Sequence, residues 1–411
     1  MIVLLIKIII CFLSAIISYV IIKKNKVFDL SFFNIIILGF TIRWVFLIPW
    51  FFLMNGHGSG DVQSYESHIR WVIEGKVPNR DFITPYGFYF YYLLSIPYRL
   101  FSHPATVIII IHFFELLGVI LFCSAIARIL SFDRAKLFAL LYVSNPLVIS
   151  WLAFDGQDEG LMIFAFGGIF FSTVISSKIF KALYCGFSLF VVKITALAAI
   201  APIVFIIKKK EVAIFLLTLI LFLLPPVILG SEIFGFRFER ENTIDELIKT
   251  VFPGNVWYLV NQVLSLDRVI FLSRVAVIFF LTATAILLIS ATGKILEATF
   301  LAFGAVLLTL SYQLSSIYTS PGFIAAIVPF FIYLILSEVK LNKNKIYYFI
   351  FYSLIVSFDM GIYYRIRNED NSLVGIIAMI FNFYELIIII ANIIIYYFML
   401  KYFIWHRNFN R

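Results

Sequence analysis

Residues 212–230 read VAIFLLTLILFLLPPVILG, an apolar run without a charged side chain, bounded on one side by Lys208, Lys209, Lys210 and Glu211. A run of ~18 or more apolar residues is long enough to cross the hydrocarbon layer as a helix. Lipid offers no hydrogen-bond partners to the backbone, so a spanning segment must be a helix or part of a closed barrel. Continuous apolarity without strict alternation selects the helix.

Runs of the same kind recur along the 411 residues, of which 63% are hydrophobic and 13% charged. A soluble chain is about half apolar and about a quarter charged. One membrane domain over 1–411 is expected, with no separate soluble unit. The spans read as 2–22, 33–54, 104–130, 137–153, 159–177, 182–207, 212–230, 269–292, 296–312, 318–337, 346–363 and 373–400. The expected fold is an all-α, polytopic transmembrane bundle. The N-terminal run contains Lys7 and lacks a basic start and a small-residue cleavage site, so it reads as a retained helix. Cys11, Cys123 and Cys185 lie inside apolar runs without metal or disulfide spacing.

The net charge of +9 points to the positive-inside bias of membrane proteins rather than to nucleic acid. Basic residues gather at Lys23–Lys26, Arg128–Lys136, Lys178–Lys181, Lys208–Lys210, Lys340–Lys345 and Lys401–Arg411. Placing all of them on the cytoplasmic side requires 182–207 to divide into two short helices turning near Lys193 and Thr195. That gives about 12–13 spans, with the N-terminus outside and the C-terminus inside. Arg43, inside the second span, needs a partner or a water cavity.

The outer connections carry the chemistry. The first, 55–103, contains Gly60-Asp61, Tyr65, Gly75, Pro78, Arg80-Asp81-Phe82 and Pro85-Tyr86-Gly87. Asp61 opens a short amphipathic helix lying along the membrane, where its carboxylate can cap the helix. A second, aromatic helix runs to Leu100, and its tyrosines suit the membrane interface. The second connection, Phe154 to Glu159, brings Asp155, Gln157, Asp158 and Glu159 to a span boundary. Carboxylates at that depth need cations, water or a ligand. The third, 231–267, holds Asn255-Val256-Trp257. Gln313 and Tyr318 break two later spans and offer groups that could bond to a sugar. Arg365 lies in the last outer turn.

The Gly-Asp-x-x-x-Tyr, Gly-x-x-Pro-x-Arg-Asp-Phe and Pro-Tyr-Gly stretches resemble the first outer loop of GT-C glycosyltransferases. Asn145-Pro146 followed by Gly156-Gln157-Asp158-Glu159, and Asn255-Val256-Trp257, resemble elements of the mannosyltransferase-like branch. The match departs at three points: an acid falls one position early, with Glu159 in the expected slot; Pro202 comes late after Lys193; and an extra helix precedes the first outer loop. Asp158 is favoured, and Glu159 is the alternative.

The resemblance implies transfer of mannose or another hexose from a polyprenyl- or dolichyl-phosphate donor to a glycan, lipid or protein acceptor. The reaction is expected on the non-cytoplasmic face of a plasma or ER-type membrane. Asp61 would be the general base. Lys193, Arg80 and Arg365 would meet the donor phosphate. Tyr65, Asp81, Tyr86, Trp257, Gln313 and Tyr318 would line the sugar site. Asp158, Glu159, Gln157 and Asp155 would hold the acceptor or a divalent cation. Oxygen-only ligands suit magnesium or manganese, and no cofactor is certain from sequence. A flippase or transporter of lipid-linked glycans, or a polymerase of them, shares most of these features.

Overall fold

A computed structural model describes residues 2–24, 30–53, 60–84, 86–191, 201–231, 256–261, 263–317, 321–338, 341–357 and 374–409. The chain is all-α. It runs through α1 (Ile2–Lys24), α2 (Phe32–Leu53), α3 (Gly60–Ile73), α4 (Tyr89–Leu100), α5 (Pro104–Ile129) and α6 (Phe132–Val143). The short α7 (Pro146–Val148) passes into a π turn over Ile149–Phe154. Then come α8 (Glu159–Val174), α9 (Lys178–Val191), α10 (Pro202–Ile206), α11 (Lys209–Ile228) and α12 (Val256–Val260). α13 (Leu266–Ile289) and α14 (Glu297–Ser315) follow, then a 3-10 turn (Pro321–Ile327) leading into α15 (Val328–Leu336). α16 (Lys343–Ser357) and α17 (Val374–Phe409) end the bundle.

Among the described residues, five helical stretches are long and apolar enough to cross a membrane: α5, Glu211–Ile228 of α11, α13, α14 and Leu386–Arg407 of α17. The chain is therefore an integral membrane protein by the length and apolarity of its helices. α1 and α2, of 23 and 22 residues, cover the expected spans 2–22 and 33–54 to within a residue, whereas, among the described residues, α8, α9, α15 and α16 are shorter than the spans read for them. The stretch 137–153 is not one straight helix: α6 and the Pro146–Phe154 segment meet at 46°. Pro146 has no N–H to give to the preceding turn, and Asn145 caps the new start by accepting from Leu147 N and Val148 N. In the run 182–207, the described helical parts reach Val191 and cover Pro202–Ile206. Lys193 and Thr195 lie outside the described residues.

The connections fall on two faces. On one, Tyr19 packs on Tyr347, Phe32 on Phe132, and Arg134 Nη1 donates to Leu336 O at 3.0 Å. Lys345 pairs with Glu338, and Lys208 with Glu297 at 3.1 Å. Lys181 lies 3.6 Å from Glu211, and Arg407 donates to Ser290 at 2.9 Å. The described basic clusters thus share one face, as the charge pattern requires. On the other face Arg80 donates to Leu229 O at 3.1 Å and Ser150 to Ser357 O at 2.6 Å.

α14 is the central helix: 89% of its apolar window is buried, against 17% for α11 and α13. The latter expose Leu217, Ile220, Phe271 and Ile278, which is the pattern of helices whose outer surface faces lipid. α5 and α8 approach closely because glycines line the seam. A Cβ on Gly118 would stand 2.5 Å from Ile163 O, and one on Gly167 would strike Gly118 O.

Polar groups inside the bundle find partners on distant helices. Arg43 on α2 pairs with Glu115 on α5 at 2.7 Å, which answers the need read from the sequence. α1 carries a polar stripe. Lys7 pairs with Asp155 at 2.6 Å, Cys11 lies 3.8 Å from Pro146 O, and Ser14 and Ser18 donate to Ser144 O. Ser14 and Ser18 thus meet the Ser144 carbonyl at the α6–α7 bend. α1 is therefore packed into the bundle as a structural helix.

Candidate functional site

The first connection folds against the second. α3 starts at Gly60, and Asp61 is its second residue, four before Tyr65. The Asp61 side chain lies outside the described part of the structure. Tyr65 is buried at 1% exposure, and its hydroxyl donates to Asp158 Oδ1 at 3.2 Å. The Tyr86 hydroxyl also donates to Asp158 Oδ1 at 3.2 Å and lies 2.9 Å from the Tyr65 oxygen. Tyr86 is held by stacking on Phe90 at 4.1 Å and by its N–H on Thr84 Oγ1. Two phenols from one connection thus orient a fully buried carboxylate from the next.

The turn that presents Asp158 requires Gly156. Its φ is +64°, and a Cβ there would meet Ile108 and Val62. Left-handed backbone is open to glycine at no steric cost. The neighbouring carboxylates turn elsewhere. Asp155 pairs with Lys7, and Glu159 Oε2 accepts from Trp151 Nε1 at 2.9 Å. The Gln157 amide lies 3.4 Å from Asp155 O. The expected group of Asp155, Gln157, Asp158 and Glu159 is close in sequence, but its three carboxylates take different partners. Among the described residues, no group of three or more His, Cys, Asp or Glu is arranged to hold a metal. Asp155, Asp158 and Glu159 thus do not together form a cation-binding cluster of that size.

Arg80 and Asp81 close on each other: Nη2 to Oδ2 is 2.7 Å and Nε to Oδ1 is 2.9 Å. Asp81 also accepts from Val77 N at 2.7 Å. The Arg80 guanidinium, with that N–H, holds the Asp81 carboxyl down to about 2. Both residues brace the loop on the site face, and Arg80 keeps a partly exposed guanidinium.

Trp257 packs beside Val269 and Ile317, and Gln313 is buried near the end of α14. Both sit on the site face, on elements other than the one carrying Asp158. Tyr318, Lys193 and Arg365 lie outside the described residues.

Three features escaped the sequence reading. His68 stacks on Phe82 at 5.0 Å, beside Trp71 and Tyr91, and its Nδ1 lies 3.2 Å from the Tyr91 hydroxyl. Burial pushes its pKa below the usual histidine value. Glu66 accepts from Tyr98 at 2.5 Å and pairs with Arg70. Burial raises its pKa, but Tyr98 and Arg70 outweigh that and the net shift is downward. His112 and Glu115 sit inside the α5 run, where any ionisable residue is a signal by default.

The arrangement defines an all-α integral membrane protein with a buried carboxylate held by tyrosines at one face. No family model matches the chain, and no curated protein or solved structure matches it.

Proposed function

We propose that the chain is a membrane-embedded glycosyltransferase of the GT-C type, taking a hexose from a polyprenyl-phosphate donor. The observation that carries this reading is the convergence of two early connections: Tyr65 and Tyr86 on Asp158, with Asp61 one helical turn from Tyr65. Residues four apart share a helix face. The basic clusters on the opposite face support a site that faces away from the cytoplasm.

In the reaction, an acceptor hydroxyl oxygen forms a bond to the anomeric carbon. The bond from that carbon to the phosphate oxygen breaks, and the polyprenyl phosphate leaves with the electron pair. The hydroxyl proton passes to Asp61 as general base. Asp158, fixed by two phenols, orients the acceptor by accepting from a second hydroxyl. A single displacement inverts the anomeric centre. Lys193 and Arg365, with the exposed part of Arg80, offset the phosphate charge.

The test uses purified protein in liposomes with labelled polyprenyl-phosphate hexoses and a panel of glycan, lipid and protein acceptors. Release of lipid phosphate with a new glycosidic product supports the reading. Near-normal turnover of Asp61→Asn removes Asp61 as base. Movement of labelled lipid between leaflets without bond cleavage replaces the reading with a flippase.

A further inference from the structure

Four residues of the first connection form a continuous hydrogen-bonded chain that ends at the site. The Tyr86 N–H donates to Thr84 Oγ1 at 3.2 Å. Thr84 Oγ1 lies 3.1 Å from the Tyr91 hydroxyl, and that hydroxyl lies 3.2 Å from His68 Nδ1. Thr84 is held in turn by its N–H on Asn79 Oδ1 at 3.0 Å. Thr84 and Tyr91 are buried, whereas His68, at the outer end, is half-buried.

The direction of the chain follows from counting hydrogens. A hydroxyl gives one hydrogen and accepts through two lone pairs. A backbone N–H can only donate, so Thr84 Oγ1 accepts from Tyr86. Its own hydrogen needs an acceptor, and among the described residues the Tyr91 oxygen is the one beside it. Tyr91 in turn gives its hydrogen to His68 Nδ1. That bond requires a neutral ring with its hydrogen on Nε2 and a lone pair on Nδ1.

Protonation turns Nδ1 from acceptor into donor. Ser64, one turn back on α3 with its Oγ 3.3 Å from Nδ1, is placed to take the new hydrogen. The Tyr91 hydrogen is then left facing a cation. Turned back toward Thr84, it displaces the Thr84 hydrogen, and the turn that holds the Tyr86 N–H loosens.

The His68 ring lies against Trp71 on α3, Phe82 in the loop and Tyr91 on α4. Burial among these rings favours the uncharged form. The described charged groups nearby pair with each other: Glu66 with Arg70, Arg80 with Asp81, and Glu74 with Lys76, which lies over the Trp71 ring. The Asp61 side chain lies outside the described part.

We infer that His68 is a positioning residue for the site, acting through Tyr91 and Thr84 on Tyr86, and that its protonation releases the Tyr86 hydroxyl from Asp158. The consequence for turnover rests on the transferase reading; the coupling from His68 to Tyr86 does not.

The coupling is tested by solid-state NMR of the full chain in bilayers, from about pH 8 to about pH 5. Nitrogen-15 at histidine reads the ring, assigned by its loss in His68→Asn or His68→Phe. Carbon-13 at proline carbonyls with nitrogen-15 at tyrosine selects Tyr86 and Tyr98, since Pro85 and Pro97 are the prolines that precede a tyrosine. Tyr98→Phe tells the two apart. The expected result is an unprotonated Nδ1 at the upper pH and a Tyr86 amide shift with the same midpoint as His68. In Tyr91→Phe, which keeps the ring but cuts the chain, His68 should still titrate and Tyr86 should no longer follow. A hydrogen on Nδ1 at the upper pH overturns the inference. So does a Tyr86 amide that does not titrate, or one that follows His68 unchanged in Tyr91→Phe.

The liposome assay then separates positioning from packing. His68→Phe keeps the stacking and loses the acceptor, and should lower turnover by no more than Tyr86→Phe does. His68→Asn supplies an amide oxygen in place of Nδ1. It should restore turnover above that of His68→Phe and flatten the pH profile. The reverse order assigns His68 to packing alone and overturns the inference. Absence of turnover in every chain, the wild type included, ends the transferase reading and leaves the NMR result to decide the coupling.

Discussion

The Tyr65 hydroxyl reaches Asp158 across 93 residues of sequence, and Tyr86 reaches the same oxygen across 72. A hydrogen bond to a charged group contributes roughly 1.5–3 kcal/mol, and 1.4 kcal/mol is about tenfold in a rate or binding constant. Tyr65→Phe or Tyr86→Phe is expected to lower turnover of the proposed reaction by about tenfold each, with the helical bundle intact. Because both phenols share one acceptor atom, the double variant should lose less than the product of the two. Multiplicative losses in the liposome assay would show that the two phenols act separately.

Asp61→Asn removes a base while keeping the size of the side chain. A fall of about 10²–10⁴-fold in turnover is expected, with little change in donor binding. Parallel measurement of binding to a non-transferable lipid-phosphate analogue separates the two effects. Equal losses in binding and turnover would assign Asp61 to the binding of substrate instead.

The first connection should loosen on acidification in two steps. His68 has a folded pKa below its usual 6.5, so the unfolded loop takes up its proton first. Stability is then lost as pH falls from 6.5 through the folded value. Asp81 has a folded value of about 2 against the usual 3.8, so its contribution is complete above 3.8 and lost as pH falls through about 2. Amide exchange at Val77, whose N–H bonds Asp81, reads both steps. His68→Phe should abolish the upper step and Asp81→Asn the lower. An exchange rate that, once corrected for its intrinsic pH dependence, stays flat from pH 7 to 2 would refute the scheme.

Gly118→Ala places a methyl against the backbone of α8. Forced insertion into a packed seam costs typically 1–3 kcal/mol. A lower melting temperature in detergent is expected, together with displacement of the α8 start that carries Glu159. Gly293→Ala is the control for added volume. A Cβ there has nothing within 4 Å, although its φ of +75° adds local strain. A melting temperature unchanged in Gly118→Ala would mean that the seam can open.

Lys7→Met should strand Asp155, and Asp155→Asn should strand Lys7. Breaking a buried pair costs ~3–5 kcal/mol. The side chains here are 10% and 26% exposed, so about 2 kcal/mol is expected for either change. The double variant should recover part of that loss in thermal melting. Additive losses would show that the pair is not energetically coupled.

Helix type, and the gathering of the basic clusters on one face, were legible in the sequence because apolar runs and basic clusters are local signals. The start of α3 was legible to within a residue from the capping Asp61, and that of α8, at Glu159, from the onset of an apolar run. Pairings were not. Arg43 demanded a partner, but Glu115 lies 72 residues away. Nothing in the local pattern tells Glu115 from any other intramembrane acid. The division of Asp155, Asp158 and Glu159 among Lys7, two tyrosines and Trp151 depends on the direction each side chain takes around a left-handed turn. The π turn was also hidden, since Asn145-Pro146 signals a break but not the backbone that follows it.

The pair between Lys7 and Asp155 has a consequence for biogenesis. α1 is synthesised 148 residues ahead of its counter-charge. At roughly 5–20 residues per second, the ammonium waits about 7–30 s before Asp155 leaves the ribosome. During that interval α1 must shelter its lysine at the lipid headgroups or against the insertion machinery. It can settle at its final depth only after the α6–α7 bend has been made.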